Sequence, residues 1–366
     1  MPLDPTVVPR VALSMLTFVP GGMGGSETYA RELASRLATS ARVDAVAVVA
    51  QGATGAMGPI AERPVSGITA RGTTAGRIET IVRGTIAGRR IRELLADRDI
   101  VHYPFTVPVP SAPRGAAVVQ TLFDVQHLDL PELFSRAELV FRRRFYEGAA
   151  ARADIVITIS EFARERILHH LPRLDPDRVV VAPMGVDTSQ YVPHRGEREP
   201  FVLYPARGWP HKNHARLVEA MQLVRRTRPE LRLVLTGGAL EGLGALPDWV
   251  DRKGLVSADE LARLYRTAGV VAFPSLYEGF GIPPLEAMAS GAPVAVAAAG
   301  SLPEVVGDAA VLFDPRDPES IAAGILTALE RGGDFYEAGL ERAASFTWER
   351  CVDVHLDVYE RLVAGR

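Results

Sequence analysis

Pro274-Ser-Leu-Tyr-Glu278-Gly-Phe-Gly-Ile-Pro-Pro-Leu-Glu286-Ala-Met-Ala-Ser-Gly-Ala-Pro293 is the stretch on which the reading of this chain turns. An apolar strand, Gly269 to Phe273, runs into it, and its glycines and prolines make a loop. A helix is expected to open at about Pro284, which puts Glu278 in the loop and Glu286 in the first helical turn. Gly279 and Gly281 admit close backbone approach by a ligand, and the amides of a helix start suit a phosphate. Two acids beside an anion seat point to a polyhydroxylated phosphate compound as ligand.

The two carboxylates admit three readings. They form a general acid/base pair, or they are a helix-start charge and an ordinary loop acid. In the third, the acid at the helix start accepts hydrogen bonds from a ribose diol while the loop acid lies near a transferred group.

Outward from this stretch, short apolar strands alternate with helix-period segments. In the first half strands are expected at Val11–Val19, Val43–Val49, Ile100–Tyr103, Ala117–Leu122, Ile155–Ile159 and Val179–Ala182. Helices are expected at Thr28–Leu37, Ile78–Leu95 and Arg136–Ala153. In the second half the strands are Phe201–Tyr204, Leu231–Thr236, Val270–Phe273, Val294–Ala297 and Ala310–Phe313. Helices there span His214–Arg226, Ala258–Thr267, Leu285–Ser290 and Pro318–Glu330. Continuous apolar strands separated by helices imply parallel sheets covered on both faces. The polar stretch Thr188–Pro200 reads as the linker between two such blocks, and a final helix, Trp348–Val363, as one that packs back across the boundary. Parallel sheets bind ligands beyond the carboxyl ends of their strands, so the expected site is a cleft between the two blocks.

Composition narrows the class. A chain of 366 residues exceeds one comfortable core, and 47% apolar with 23% charged residues is ordinary for a globular protein. A net charge of −3 argues against a general nucleic-acid binder. The single cysteine, Cys351, excludes internal disulfides and a Cys-rich metal site. No signal pattern and no window of about 18 apolar residues is present, so a cytoplasmic location is expected, with peripheral contact at the inner face of a membrane still open. Of 41 basic residues only Lys212 and Lys253 are lysines, and Asn213 is the sole asparagine, so these exceptions carry added weight.

Two further post-strand loops stand out. Pro20-Gly-Gly-Met-Gly24-Gly25-Ser-Glu27 is either a phosphate-approach loop or a tight turn. It lacks the third glycine of a dinucleotide fingerprint, at Glu27, although Asp44 lies at a suitable distance for a ribose contact. Arg207-Gly-Trp-Pro-His-Lys212-Asn213 opens the second block: Asn213 suits an N-cap, and Arg207 with Lys212 suits a diphosphate clamp, or else a solvated basic loop.

On these residues the chain resembles the retaining, GT-B-fold glycosyltransferases of the large family 4. The E-x7-E motif is matched by Glu278 and Glu286. Arg207, Lys212, the Gly24-Gly25 loop, Gly254 with Val256, Met184-Gly-Val-Asp187 and Gly300-Ser-Leu-Pro-Glu304-Val-Val-Gly support it. The resemblance implies two Rossmann-like α/β domains with parallel sheets facing an interdomain cleft: an acceptor-side domain at 1–192, a nucleotide-sugar domain at 193–345, and a helix at 346–366 returning to the first. It implies that Arg207 and Lys212 bind the donor diphosphate, Glu286 the ribose, and Glu278 the sugar. Gly24 and Gly25 would approach the diphosphate, Val256 with Gly254 would line the base pocket, and the loop Gly279-Phe280-Gly281-Ile282 would complete the donor site. The donor would be a UDP- or GDP-sugar and the acceptor a hydroxyl of a saccharide, lipid-linked or small molecule, with no cofactor and no metal.

One position departs from that pattern. Where the family commonly has His-Asp, this chain has Phe123-Asp124, and His127 is the candidate substitute beside Asp124. A non-catalytic nucleotide-sugar binder is therefore the alternative from another class, and a dehydrogenase, resting on Gly22 to Gly25 alone, is a third. Asp175-Pro-Asp177 reads as a turn before a metal motif, and Asp353, His355 and Asp357 do not share one helix face. Arg142-Arg143-Arg144 among Phe141, Phe145 and Tyr146 suits an anionic membrane or a solvated face. His102, Tyr103 and Phe105 suit an acceptor pocket or the core.

Overall fold

The computed structural model describes residues 8–69 and 74–365. Seven strands form the first sheet: β1 (Arg10–Met15), β2 (Asp44–Ala50), β3 (Ala61–Val65), β4 (Ile100–Tyr103), β5 (Ala117–Thr121), β6 (Ile155–Thr158) and β7 (Val179–Val181). Six form the second: β8 (Glu199–Pro205), β9 (Arg232–Thr236), β10 (Val250–Gly254), β11 (Ala268–Phe273), β12 (Val294–Ala297) and β13 (Val311–Phe313). The orders are β3-β2-β1-β4-β5-β6-β7 and β10-β9-β8-β11-β12-β13, and the paired strands are parallel. Central strands such as β11 and β12 are buried throughout, which is why they read as unbroken apolar runs.

The two strands that went unexpected, β3 and β10, are sheet edges. Ala-Glu-Arg-Pro-Val and Val-Asp-Arg-Lys-Gly bury little and carry no apolar run. Pro64 is tolerated because an edge strand has one unpaired side. The long helix expected over Ile78–Leu95 is broken into Thr74–Ile86 and Gly88–Leu94, with glycines at 84 and 88 weakening the joint. The Arg136–Ala153 helix carries a π-helical turn at Arg143–Glu147 and ends at Ala150.

The chain divides into two compact units. One contains the chain to Ile159, then Ala163–Met184 and the segment from Trp348; the other contains Ser160–Phe162 and Gly185–Thr347. The boundary thus falls at Gly185 rather than after residue 192. The stretch read as a linker packs on the second unit instead: His194 N–H bonds Ser290 O, and Tyr191 meets the Tyr265 ring edge-on at 6.0 Å, while just before the stretch Val186 N–H bonds Phe346 O. The C-terminal helix Trp348–Ala364 belongs to the first unit, where Arg42 forks onto Asp357 at 2.6 Å and Glu360 at 2.8 Å.

Candidate active site

In the second unit β8 and β11 are neighbours, and the chain leaves β8 toward β9 and β10 before returning to β11. The loops after β8 and β11 therefore part in opposite directions, leaving a crevice at the point where strand order reverses. Arg207 to Asn213 follow β8, and Pro274 to Gly281 follow β11. Residues 66 apart in sequence meet there: Lys212 Nζ donates to Glu278 Oε1 at 2.6 Å, with side chains only 16% and 18% exposed.

Backbone and side-chain bonds fix that meeting. Tyr204 Oη donates to Lys212 O at 2.8 Å, and Leu276 N–H donates to His211 O at 2.8 Å. Asn213 does not cap its helix as expected. Its φ of 63° is left-handed, and its side-chain amide donates to Pro274 O at 2.9 Å and Pro315 O at 2.7 Å. The carboxamide thus ties the β8 loop to the loops after β11 and β13, which is a stronger reason for asparagine here than a cap.

Glu278 is gripped from a third loop. Ser301 donates to Glu278 O through both its amide, at 3.1 Å, and its hydroxyl, at 3.0 Å. Gly300, at φ +62°, lies so close that a Cβ would stand 2.7 Å from Glu278 N and 2.8 Å from Glu278 O. Ser160 closes the neighbouring turn by donating to Gly279 O at 2.7 Å, and Phe162 meets Tyr277 edge-on at 5.4 Å. Burial pushes the Glu278 carboxyl up, but Lys212, with help from Ser275, holds it below the usual carboxylate range. It is an ionised acid inside a built socket.

The helix after this loop is Ile282–Ala289, opening two residues before Pro284, so Glu286 lies one residue past the first turn. Of the four helix-start positions whose amides have no partner within the helix, only the N-cap Gly281 and Ile282 have an N–H, because Pro283 and Pro284 have none. The anion seat is therefore narrower than a helix start normally offers, and consists of Ile282 with the loop Gly279-Phe280-Gly281. Tyr265 Oη donates to Glu286 Oε2 at 2.8 Å, and the Tyr191 hydroxyl lies near enough to act on the same carboxylate. Burial raises the Glu286 carboxyl above its ordinary value, against the pull of these two hydroxyls.

Arg207 stands over the exposed Trp209 ring at 5.3 Å and pairs with no carboxylate among the described residues. One cation of the expected clamp is thus neutralised by Glu278, and the other is not. Gly254 ends β10 with φ +69° and accepts from Gly237 N–H at 2.8 Å. Val256, half-buried, sits between it and Ser257, which caps the helix Ala258–Thr267.

In the first unit the Gly24-Gly25 loop follows β1, and Gly25 opens the helix Gly25–Thr39. Glu27, where a third glycine was missing, serves the loop itself: its carboxylate accepts from Gly21 N–H at 3.0 Å and Met23 N–H at 3.4 Å, and pairs with Arg31 at 2.9 Å. Asp44 opens β2, in register with Arg10 at the start of β1, and pairs with Arg98 at 2.8 Å. It lies at the end of the strands opposite the glycine loop, which removes the ribose contact suggested for it.

Asp124 accepts from Gln126 N–H at 3.0 Å, at the entry of the short helix Gln126–Asp129. His127, the candidate substitute for a sugar-contacting histidine, is 1% exposed and packed edge-on against Phe134 and Tyr146. Burial pushes its pKa down to about 4, and it faces Glu147 at 3.5 Å, so it is a core imidazole in this structure. Phe123 meets Tyr29 edge-on at 5.2 Å. His102, Tyr103 and Phe105 are core residues too: His102 bonds Tyr359 Oη at 2.7 Å and Thr121 Oγ1 at 2.8 Å. Asp175 caps Asp177 N–H in a turn, as expected. Arg142 lies over Phe134 at 4.5 Å and Tyr146 at 5.1 Å.

Two parallel sheets of Rossmann-like order define the GT-B architecture, and solved structures share it. Sucrose-phosphate synthase from Thermosynechococcus elongatus superposes with a TM-score of 0.80 at 21% identity, over 98% of this chain and 100% of that one. An Anabaena protein solved with UDP-glucose superposes at 0.71 and 18% identity, over 95% and 99% of the two chains. Residues 188–344 match the family model "Glycosyl transferases group 1", and residues 23–190 match "Glycosyltransferase Family 4". The O-antigen chain mannosyltransferase B of Escherichia coli is 31% identical, over 74% of this chain and 77% of its own. A D-inositol 3-phosphate glycosyltransferase of Stackebrandtia nassauensis is 30% identical, over 94% and 88%. The chain belongs to the group 1 glycosyltransferases and is an enzyme of that class.

Proposed function

We propose that this enzyme transfers a hexosyl group, with retention and without a metal, from a UDP- or GDP-sugar to a hydroxyl acceptor in glycan, glycolipid or natural-product synthesis. The observation that carries the reading is the Lys212–Glu278 contact at the β8/β11 crevice, with the unneutralised Arg207 on the same loop. When the bond from the sugar anomeric carbon to the diphosphate oxygen breaks, negative charge accumulates on the leaving diphosphate. Arg207 and Lys212 oppose that charge, Arg207 through its planar fork and Lys212 as a point charge. Glu278, kept ionised by Lys212, contacts the sugar as Lys212 turns to the diphosphate, while Glu286 accepts from the ribose hydroxyls. Val256 and Gly254 line the base pocket.

The Escherichia coli relative is a mannosyltransferase and the Stackebrandtia relative a glycosyltransferase acting on D-inositol 3-phosphate, which supports a sugar donor and a hydroxyl acceptor. The Anabaena neighbour was solved with UDP-glucose, which supports a nucleotide sugar. The reading places the enzyme in the cytoplasm, with peripheral membrane contact where the acceptor is lipid-linked. No helix among the described residues is long and apolar enough to cross a membrane.

Nucleoside diphosphate release from a panel of UDP- and GDP-hexoses, with NMR of the product anomer, tests the proposal. A product with the donor's anomeric configuration, formed in EDTA, is expected. An inverted anomer, or activity lost in EDTA and restored by Mn²⁺, overturns it.

A further inference from the structure

Among the described residues no cation lies beside the half-buried Glu286 carboxylate. A buried acid kept for structure is normally paired with one, as Glu278 is with Lys212. Here the groups that act on it are two phenols from different segments. Tyr265, on the helix Ala258–Thr267, is fully buried and donates to Oε2 at 2.8 Å. Tyr191, from the segment after the short helix Thr188–Gln190, packs its ring edge-on to Tyr265 at 6.0 Å and 75°, which brings its hydroxyl near the same carboxylate.

We infer that Tyr191 and Tyr265 are positioning residues that hold the Glu286 carboxylate ionised and oriented so that its remaining acceptor positions face a vicinal diol of the ligand. The inference rests on the assignment of Glu286 to the ribose and extends it to the groups that make the contact selective. An ionised carboxylate offers about four acceptor sites; Tyr265, with Tyr191 beside it, takes at most two and leaves the two that a 2′,3′-diol fills. Two neutral donors suit this task better than a cation. They stabilise the charged form without competing for the ligand's position as a long ammonium would. Hydrogen bonds to the charged form favour it, so these hydroxyls oppose the upward push of burial on Glu286. Among the described residues no other group acts on the Glu286 carboxylate, and Ser290, at the end of its own helix, bonds only the Glu286 backbone carbonyl.

The test compares binding of UDP and GDP with their 2′,3′-dideoxy counterparts by calorimetry between pH 5.5 and 8.5, on wild type, Glu286→Gln, Tyr265→Phe, Tyr191→Phe and the double phenylalanine variant. In wild type the ribo form binds better, and the preference fades as pH falls. Each Tyr→Phe change is expected to move that fading to higher pH, the double change furthest, with dideoxy affinity unchanged. Equal loss of ribo and dideoxy binding, or an unmoved pH midpoint, overturns the inference. Glu286→Gln that keeps the full ribo preference overturns instead the assignment of Glu286 to the ribose. Tyr191, only half-buried, keeps the test open if Tyr265→Phe lowers solubility.

Discussion

Lys212→Met removes the cation from a carboxylate that cannot move away. Glu278 is 18% exposed and 2.6 Å from Nζ, and Ser301 and Gly300 grip its backbone. Exposed pairs are worth about 0–1 kcal/mol and breaking a fully buried pair costs about 3–5, so about 2–3 kcal/mol is expected here. The sign with pH follows from Glu278. With Lys212 present its folded pKa lies below the unfolded value, so its contribution is present above the unfolded pKa and is lost as pH falls through the folded one. Without Lys212, burial pushes the folded pKa up, and the carboxylate destabilises the fold wherever the unfolded chain is ionised. The deficit of the variant is therefore largest at pH 7.5 and shrinks toward pH 4.5.

Urea unfolding of wild type, Lys212→Met, Glu278→Gln and the double variant, at pH 7.5 and 4.5, measures this directly. The double variant is expected to recover most of the lost stability. Affinity for the nucleoside diphosphate should fall about tenfold, near the lower end of the roughly 1.5–3 kcal/mol of a charge-assisted bond. The low end is expected because Lys212 has to leave Glu278 before it can reach a phosphate. A Lys212→Met protein as stable as wild type at pH 7.5, or equally deficient at both pH values, refutes the reasoning.

Gly300→Ala puts a Cβ 2.7 Å from Glu278 N in a left-handed conformation and is expected to cost at least about 2 kcal/mol and to raise the donor KM. Gly333→Ala, with nothing within 4 Å, is the control and should melt like wild type. His355 is fully buried with its pKa pushed down to about 4 by burial, so its neutral form is required as pH falls below the unfolded value near 6.5. His355→Gln should lower the slope of unfolding free energy between pH 6.5 and 4.5 by up to about 1.4 kcal/mol per pH unit, and an unchanged slope refutes that. Phe123→His should change turnover more than nucleotide affinity, and equal effects on both refute a sugar-side role for this position.

The sheets were legible because the central strands are apolar on both faces, and their ends fell within a few residues of those expected. The edges β3 and β10 were not, since an edge strand with one solvated face has no such run. The boundary at Gly185 was hidden for a related reason: Thr188 to Pro200 is polar like a linker but is held by backbone bonds and by Tyr191, none of which leaves a mark in composition. His127 was singled out because it follows Phe123-Asp124, where the resembled family has His-Asp, whereas Phe134 and Tyr146, which bury it, come later in the chain.

The charged residues of the site were visible in the sequence; what holds them was not. Asn213 was conspicuous as a lone asparagine before a helix, and a cap was the local explanation. Its left-handed backbone turns the carboxamide from the helix toward Pro274 and Pro315, at the ends of strands 61 and 102 residues away. The strand order β9-β8-β11-β12-β13 brings those ends together, and a periodicity does not reveal which strands become neighbours. The same holds for Tyr265 and Tyr191, which reach Glu286 from other segments. Replacing either phenol leaves every charged residue of the motif in place, so an effect on diol preference alone separates the motif from the frame that makes it work.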